Sequence, residues 1–414
     1  MIAVFFLERP VSFLCSRSFI VNFILFDLDM TDVLIVTSET DVHASAVIKE
    51  LHKSDVKAIR LNSESLIQKS HYFYEWQASG NPSQSFLCFE DSLKKVQDIG
   101  VIWWRKPEEY QVFPEVNDDC AIKYCREETE YLIYSLSGLY PKARWINNYY
   151  NMRLLSHRIN QIPIAQKLGI TIPPTLVTTL YEAACEFVTQ QGKCIVKAMR
   201  YAGFVHDEKQ YACYTRPLDV ETLLAFRESI RLAPVFIQKR IQKKAEYRVT
   251  LIGKHSFVCR IDAKHTNDAD VTLDWRVTEL DKLVHVPDKL PIDYLNKLHQ
   301  MLDEFGLNFG AFDIIRNEDD TLYFIELNPN GQWYWIEILT KMPMVRAMVE
   351  LIEDLALQYQ QDCGIVYRFV MRTSVRASFM RTEVFTTNQL YYGRSRGHNL
   401  IRHVRSPDIY PNPS

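Results

Sequence analysis

The chain has 414 residues, 47% hydrophobic and 24% charged, an ordinary globular balance that excludes a disordered protein and asks for two or three domains of roughly 150 residues. Lys plus Arg number 48 against 51 Asp plus Glu, but residues 363–414 hold eight Arg, no Lys and only Glu383 and Asp408 as acids, leaving a tail of +6 on a body near -9. An acidic body excludes a nucleic-acid footprint across the folded part.

Residues 1–29 carry apolar runs at 4–7 and 19–26, the second broken by Asn22. Both are far shorter than the roughly 20 residues that span a bilayer. With no basic start and no small-residue cleavage site, they are expected to be neither a membrane anchor nor a secretory signal. The texture of a folded domain begins at Met30-Thr-Asp-Val-Leu. Nine cysteines, an odd number without repeated paired spacing, read as free thiols of a cytoplasmic protein.

In chain order, residues 32–37 form an apolar run followed by Ser38, Thr40 and Asp41, a buried strand ending at a helix cap. Residues 41–53 place Val42, Ala46, Val47, Ile48 and Leu51 on one helical face, and 57–61 is the next strand. That β-α-β opening predicts a small parallel sheet. Strand-like alternation follows at 71–77 and 85–90, then a strand at 99–104 runs into Arg105-Lys106-Pro107. A helix over 121–137 closes a first domain spanning 30–141.

Residues 142–180 read as a connector: a strand at 144–147, a helix over 151–168, the stop Gly169, and the extended Ile172-Pro173-Pro174-Thr175. A strand at 194–199, a helix over 220–230 and a strand at 235–238 follow. A hairpin is expected at 247–252 and 256–262, turning at Gly253-Lys254. A helix over 293–306 leads to strands at 308–315 and 322–328, and a last helix covers 345–357. The class is α/β in the broad sense, an α+β body behind a small parallel sheet. The basic segment 359–414 and residues 1–29 are expected to be appendages, the former loosely ordered.

The stretch with most chemical content is Gly310-Ala-Phe-Asp313 and Phe324-Ile-Glu326-Leu-Asn328-Pro-Asn330-Gly. Read as two antiparallel strands joined at 317–320, it puts Glu326 and Asn328 on one sheet face, with Asp313 across from them. Two carboxylates and an amide oxygen make a hard-cation site suited to Mg²⁺; a surface hairpin with acids facing water is the plain alternative. Lys197 interrupts the apolar run Cys194-Ile-Val-Lys-Ala-Met, so its ammonium must reach an anion or solvent. After it, residues 201–204 read as a flexible turn. The strand ending in Gln238-Lys239-Arg240-Ile241 offers backbone groups to a purine edge, and Glu246 offers an acceptor to ribose hydroxyls. Arg248 and Arg260, on the two arms of the hairpin, reach either phosphate oxygens or water.

These pieces occur together and in order, and the stretch from Asp32 to Gln358 resembles the ATP-grasp superfamily of carboxylate-amine ligases. The resemblance implies ATP and Mg²⁺ as cofactors. It implies metal ligation by Asp313, Glu326 and Asn328, a phosphate-binding Lys197, an adenine hinge at Gln238, Lys239 and Ile241, and a ribose acid at Glu246. It further implies that Arg248 and Arg260 act on the transferred phosphate and acyl phosphate. Arg158 stands where the superfamily has a second phosphate lysine. It also implies an ATP-grasp domain over 142–358 behind the 30–141 domain. Ile102-Trp-Trp-Arg-Lys-Pro107, Ile172-Pro-Pro-Thr-Leu-Val-Thr178 and Glu326-Leu-Asn-Pro-Asn-Gly-Gln-Trp333 are similar to the maturases of microviridin-type, ester- and amide-crosslinked ribosomal peptides. The implied reaction activates a side-chain carboxylate as an acyl phosphate, which a hydroxyl or amine of the same precursor peptide then attacks. The rivals are a ligase adding amino acids to a peptide terminus and a non-catalytic ATP-binding module. Neither a nucleic acid nor a membrane is an expected partner, and a homodimer is expected because dimers are common among enzymes.

Overall fold

The structure, a computed structural model, describes residues 32–363 apart from 55, 76–83, 90–91, 97–98, 200–202, 207–208, 213–214 and 264–282. Residues 1–29 and the basic tail beyond Cys363, expected to be appendages, lie outside the described residues.

The chain opens with β1 (Asp32–Thr37), α1 (Val42–Leu51), β2 (Lys57–Asn62) and the single turn α2 (Leu66–Lys69). Asp41 caps α1 by accepting from the His43 and Ala44 amides, which is why the helix starts there. Next come β3 (Ser70–Glu75), β4 (Gln84–Phe89) and β5 (Ser92–Val96), a separate antiparallel sheet. Then follow β6 (Ile99–Trp104), α3 (Asp119–Tyr134), the short α4 (Leu136–Leu139) and β7 (Arg144–Ile146). The first sheet has order β2-β1-β6-β7 and every pairing in it is parallel. The strand expected in the connector is thus the edge of the first sheet, so that sheet extends beyond residue 141. All six residues of β6 are buried, as a strand covered on both faces requires.

The middle of the chain begins with α5 (Tyr149–Ser156) and α6 (Arg158–Lys167). One continuous helix is expected there, but His157 is extended and starts a second one. Gly169 ends α6 at φ +61, the left-handed stop read from the sequence. The next elements are β8 (Thr175–Thr178), α7 (Tyr181–Gln191), β9 (Cys194–Lys197), β10 (Gly203–His206), β11 (Lys209–Ala212), β12 (Arg216–Leu218), α8 (Val220–Ala225), α9 (Arg227–Ile230) and β13 (Val235–Lys239). The antiparallel sheet β12-β9-β13-β8 has its own small core of Ala184, Val188, Cys194, Leu218, Leu223, Ile230 and Ile237. Of the turn expected at 201–204, residues 203 and 204 belong to the β10–β11 hairpin; 201 and 202 lie outside the described residues.

The last part holds β14 (Ala245–Ile252), β15 (His255–Ala263), β16 (Leu283–Pro287), α10 (Ile292–Glu304), β17 (Phe309–Arg316), β18 (Leu322–Asn328), α11 (Tyr334–Thr340) and α12 (Met344–Asp362). Its five strands run antiparallel in the order β16-β15-β14-β17-β18. One face, with Tyr247, Val249, Phe312, Ile314 and Phe324, packs against Leu298, Met301 and Leu302 of α10. The other face shares a core with α12 and with the first sheet. α12 runs to Asp362, past the boundary at 358 expected from the sequence. Among the described residues Cys120, Cys125, Cys185, Cys194, Cys259 and Cys363 are free thiols, and no described helix is long and apolar enough to cross a membrane.

Candidate active site

The strand register assembles most of the residues singled out in the sequence. Asp313 on β17 sits opposite Arg248 on β14 and opposite Glu326 on β18, and Ala311 sits opposite Asn328. Partners across an antiparallel pair project to the same face, so Arg248, Asp313, Glu326 and Asn328 share one side of the sheet. Glu246, two residues before Arg248, shares it too. The pairing skips Ile325 between Glu326 and Phe324, a bulge that shifts the strand before the acids while leaving Glu326 and Asn328 in phase.

Each carboxylate has a guanidinium. Arg248 Nη1 donates to Asp313 Oδ1 at 2.7 Å, and Arg158 Nη2 lies 2.6 Å from Glu326 Oε2. Asp313, Glu326 and Arg248 are 8%, 6% and 6% exposed, so their charges are out of water and must be matched in place. Asn328, at the strand end, is exposed. Arg158 Nη1 also donates to the carbonyl of Ala198 at 2.6 Å, tying the first turn of α6 to the residue after Lys197.

On the smaller sheet, Lys197 pairs with Phe236, and Gln238 with Ile195 and Thr175. These side chains therefore occupy the face opposite Ile237 and the core under α7. Lys197 Nζ donates to Gln238 Oε1 at 3.0 Å and stands 5.2 Å from the centroid of Phe236. Gln238 Nε2 donates to Thr175 Oγ1 at 2.9 Å. The segment that follows is tied by its backbone: the Lys239 amide donates to the Pro174 carbonyl and that of Arg240 to the Lys193 carbonyl. Ile241 comes next. Glu246 accepts from Lys243 at 2.7 Å.

One residue of the expected set stands apart. Arg260 is registered with Tyr247, which places it on the sheet face opposite Arg248 and Asp313. There it holds Asp262 at 2.9 Å and Asp288 at 3.2 Å. Two arms of one hairpin point a pair of arginines to one face only when the two are in phase, and a Tyr247–Arg260 register puts Arg248 and Arg260 out of phase.

Several buried polar side chains that hold this region carried no assignment from the sequence. The amide of Gln161, on α6, accepts from Leu327 N–H at 2.8 Å and donates to Leu327 C=O at 2.8 Å. Asn147 donates to the carbonyls of Phe309 and Pro329, both at 2.8 Å, and accepts from the amides of Asn308 and Phe309. Arg105 donates to Asn330 through its side-chain Oδ1 at 2.8 Å and its carbonyl at 3.2 Å, while its Nε faces Asp41 at 3.3 Å. The one sequence signal was polarity inside apolar surroundings. Arg105 closes the Trp103-Trp104 run, and Gln161 lies three residues after Arg158, on the same helical face.

The donor set fits a hard divalent cation: two carboxylates and an amide oxygen at neighbouring register positions. Among the described residues no group of three or more His, Cys, Asp or Glu is arranged to hold a metal. A cation held by two carboxylates and an amide takes its remaining oxygens from elsewhere, as Mg²⁺ does from nucleotide phosphates.

No protein-family model matches the sequence, and no curated protein does. Solved structures match well. A Chryseobacterium gregarium RiPP-associated ATP-grasp ligase, in complex with ADP and a leader and core peptide, is 24% identical with TM-score 0.72 over 78% of this chain and 97% of that one. The macrocyclase MdnC of Microcystis aeruginosa, bound with precursor peptide MdnA, is 22% identical with TM-score 0.67 over 78% and 99%. D-alanyl-alanine synthetase A of Vibrio cholerae is 11% identical with TM-score 0.51 over 80% and 100%. The parallel sheet and the antiparallel sheets that follow it match the ATP-grasp ligase structures in fold, and this chain has the ATP-grasp fold.

Proposed function

We propose that the protein is an ADP-forming, ATP-dependent ligase that activates side-chain carboxylates of a ribosomally made precursor peptide and closes them into ester or amide crosslinks. The observation that carries this reading is the pairing of Asp313 and Glu326 in register on adjacent strands, each matched to a guanidinium and followed by Asn328. Likeness in fold to ligases solved with leader, core or precursor peptides supports the peptide as substrate.

In this reading Gln238, Lys239 and Ile241 hold the adenine edge and Glu246 the ribose. Lys197 and Arg158 bind phosphate oxygens, and Asp313, Glu326 and Asn328 hold Mg²⁺. When bound, the ion neutralises the β and γ phosphates and polarises the transferring group. Arg248, fixed by Asp313, presents its remaining N–H groups to the γ-phosphoryl as the substrate carboxylate attacks phosphorus and ADP leaves. A hydroxyl or amine of the same peptide then attacks the acyl carbon, the C–O bond to phosphate breaks, and the proton leaves with solvent or phosphate. The residues named supply position and charge, and no protein nucleophile is needed. Arg260, on the other face, has no part in this step. The chain is expected to act in the cytoplasm without nucleic acid or membrane, and as a homodimer.

The test is mass spectrometry of an acidic, Thr-, Ser- or Lys-bearing peptide encoded beside this gene, incubated with the protein, ATP and Mg²⁺. Crosslinking removes one water per ring. A mass gain by whole amino acids would instead make the protein a terminal amino-acid ligase, and ADP release without change of the peptide would refute macrocyclisation.

A further inference from the structure

The peptide unit between Glu326 and Asn328 is held by a residue outside its own sheet. We infer that Gln161 is a positioning residue for the cation site: its side-chain amide fixes Leu327 and so sets where the Glu326 carboxylate and the Asn328 amide stand. The inference rests on the reading of Asp313, Glu326 and Asn328 as metal ligands.

β18 is the edge strand of its sheet, and Leu327 turns its N–H and C=O toward α6. Gln161 binds both, one with Oε1 and one with Nε2, as a neighbouring strand would. Nε2 also donates to the Leu155 carbonyl at 2.7 Å, so both N–H groups and the oxygen of the amide are committed. The residue is 2% exposed, which removes water as an alternative partner. The same helical turn carries Arg158, 2.6 Å from Glu326. One turn of α6 therefore delivers a charge to one ligand and a lock to the backbone between both. Just beyond, Asn147 holds the Pro329 carbonyl and Arg105 holds Asn330, so the segment leaving Asn328 is fixed as well. Side chains that orient ligands from behind typically set metal affinity by ten- to a hundredfold.

The experiment measures ADP binding with and without Mn²⁺, the cation taken as an oxygen-ligated stand-in for Mg²⁺, for the full chain and for Gln161→Met, Gln161→Glu and Glu326→Gln. Methionine keeps the length and removes all three bonds. Glutamate keeps the bond from Leu327 N–H and loses those to the Leu327 and Leu155 carbonyls. The expected result is that half-saturating Mn²⁺ rises about tenfold or more in Gln161→Met, while metal-free ADP affinity changes less than about twofold. Gln161→Glu is read in the same way, and decides the matter if the methionine variant does not fold. If Glu326→Gln weakens Mn²⁺ but a folded Gln161 variant does not, Gln161 is overturned and the metal reading stands. If a Gln161 variant weakens metal-free ADP as much as metal-bound ADP, its role is general packing and the inference fails. If Glu326→Gln leaves Mn²⁺ binding unchanged, the metal reading itself fails and takes this inference with it.

Discussion

His43 sits between partners that admit one protonation state. The Trp333 amide donates to its Nε2 at 3.1 Å, so that nitrogen must be a bare acceptor, and Nδ1–H then donates to Asp41 Oδ1 at 3.0 Å. Burial, with the nearby Arg105 charge, pushes the imidazole below its ordinary value despite the Asp41 carboxylate. For Asp41, burial works upward, but the bond from His43, the Arg105 guanidinium and the Thr37 hydroxyl together hold its carboxyl far below the usual carboxylate range. Both folded values lie under their unfolded ones. Each group therefore contributes stability that is fully present above its unfolded pKa and lost as pH falls toward the folded one. Melting temperature should fall as pH drops below about 6.5, the unfolded histidine value, and fall further below about 3.9, where unfolded aspartate titrates. His43→Asn should be less stable at pH 7.5 yet show a flatter decline between roughly pH 6.5 and pH 5; an unchanged slope would remove His43 from the account. At the same scale, Lys197→Ala should weaken ATP about tenfold or more, a charge-assisted bond of roughly 1.5–3 kcal/mol, while AMP binding stays within about twofold. Equal weakening of both nucleotides would make Lys197 a strand residue and nothing more.

At the scale of elements, the link from β18 to α11 is tight enough to be probed with one methyl group. A Cβ on Gly331 would stand 2.5 Å from Arg248 Nη2 and 2.6 Å from the Cβ of Ala311. Ala311 is fixed in β17, so the link must move away, and Arg248 must shift with it or leave Asp313. Gly331→Ala should cost about 1–3 kcal/mol of stability and reduce ATP turnover well beyond that cost. Gly138→Ala, inside helix α4 where nothing lies within 4 Å, should leave turnover unchanged and add about 0.4–1 kcal/mol of stability. A Gly331 variant with full turnover would mean the link tolerates displacement. What the sequence disclosed at this scale follows from period and spacing. Alternation on β17 and β18 was enough to place the acids on neighbouring strands, but their direct pairing depends on the bulge at Ile325, which alternation alone does not disclose. The break at His157 and the membership of β7 were not legible, because a helix split at one extended residue keeps its apolar spacing and a three-residue strand takes its sheet from tertiary pairing. Arg260 shows how a face follows from register: the turn at Gly253-Lys254 pairs Ile252 with His255 and therefore Tyr247 with Arg260, on the face opposite Arg248. Gln161 and Asn147 were invisible as site residues because what they bind is backbone, which leaves no mark in residue type.

Across the whole molecule the three larger sheets are not equally independent. The sheet of β8, β9, β12 and β13 closes its own core, but the first sheet and the β14–β18 sheet do not. Val33, Ile35, Val101 and Trp103 of the first share one cluster with Ile252, Cys259 and Phe309 of the last, and α12 fills the space between. Met344, Met348, Val349, Leu351, Ile352 and Leu355 are all buried there, at roughly 1.5–3 kcal/mol each. Even discounted for a compact unfolded chain, that sum is comparable with the roughly 5–15 kcal/mol that keeps a domain folded. A chain ending at Asp362 keeps the whole of α12, and its terminal ion pair with Arg144 is exposed at both partners and so contributes little. That chain should melt at the temperature of the full-length protein and bind ADP equally well. A chain ending at Pro343 loses the helix, uncovers both sheets and should show no cooperative melt, although the small sheet over 175–239 keeps its own core. The comparison is two thermal melts followed by near-ultraviolet circular dichroism, with ADP titration on each. If the chain ending at Pro343 melts cooperatively at the full-length temperature, α12 does not join the two sheets, and the shared core is not what holds the site's two halves in one body.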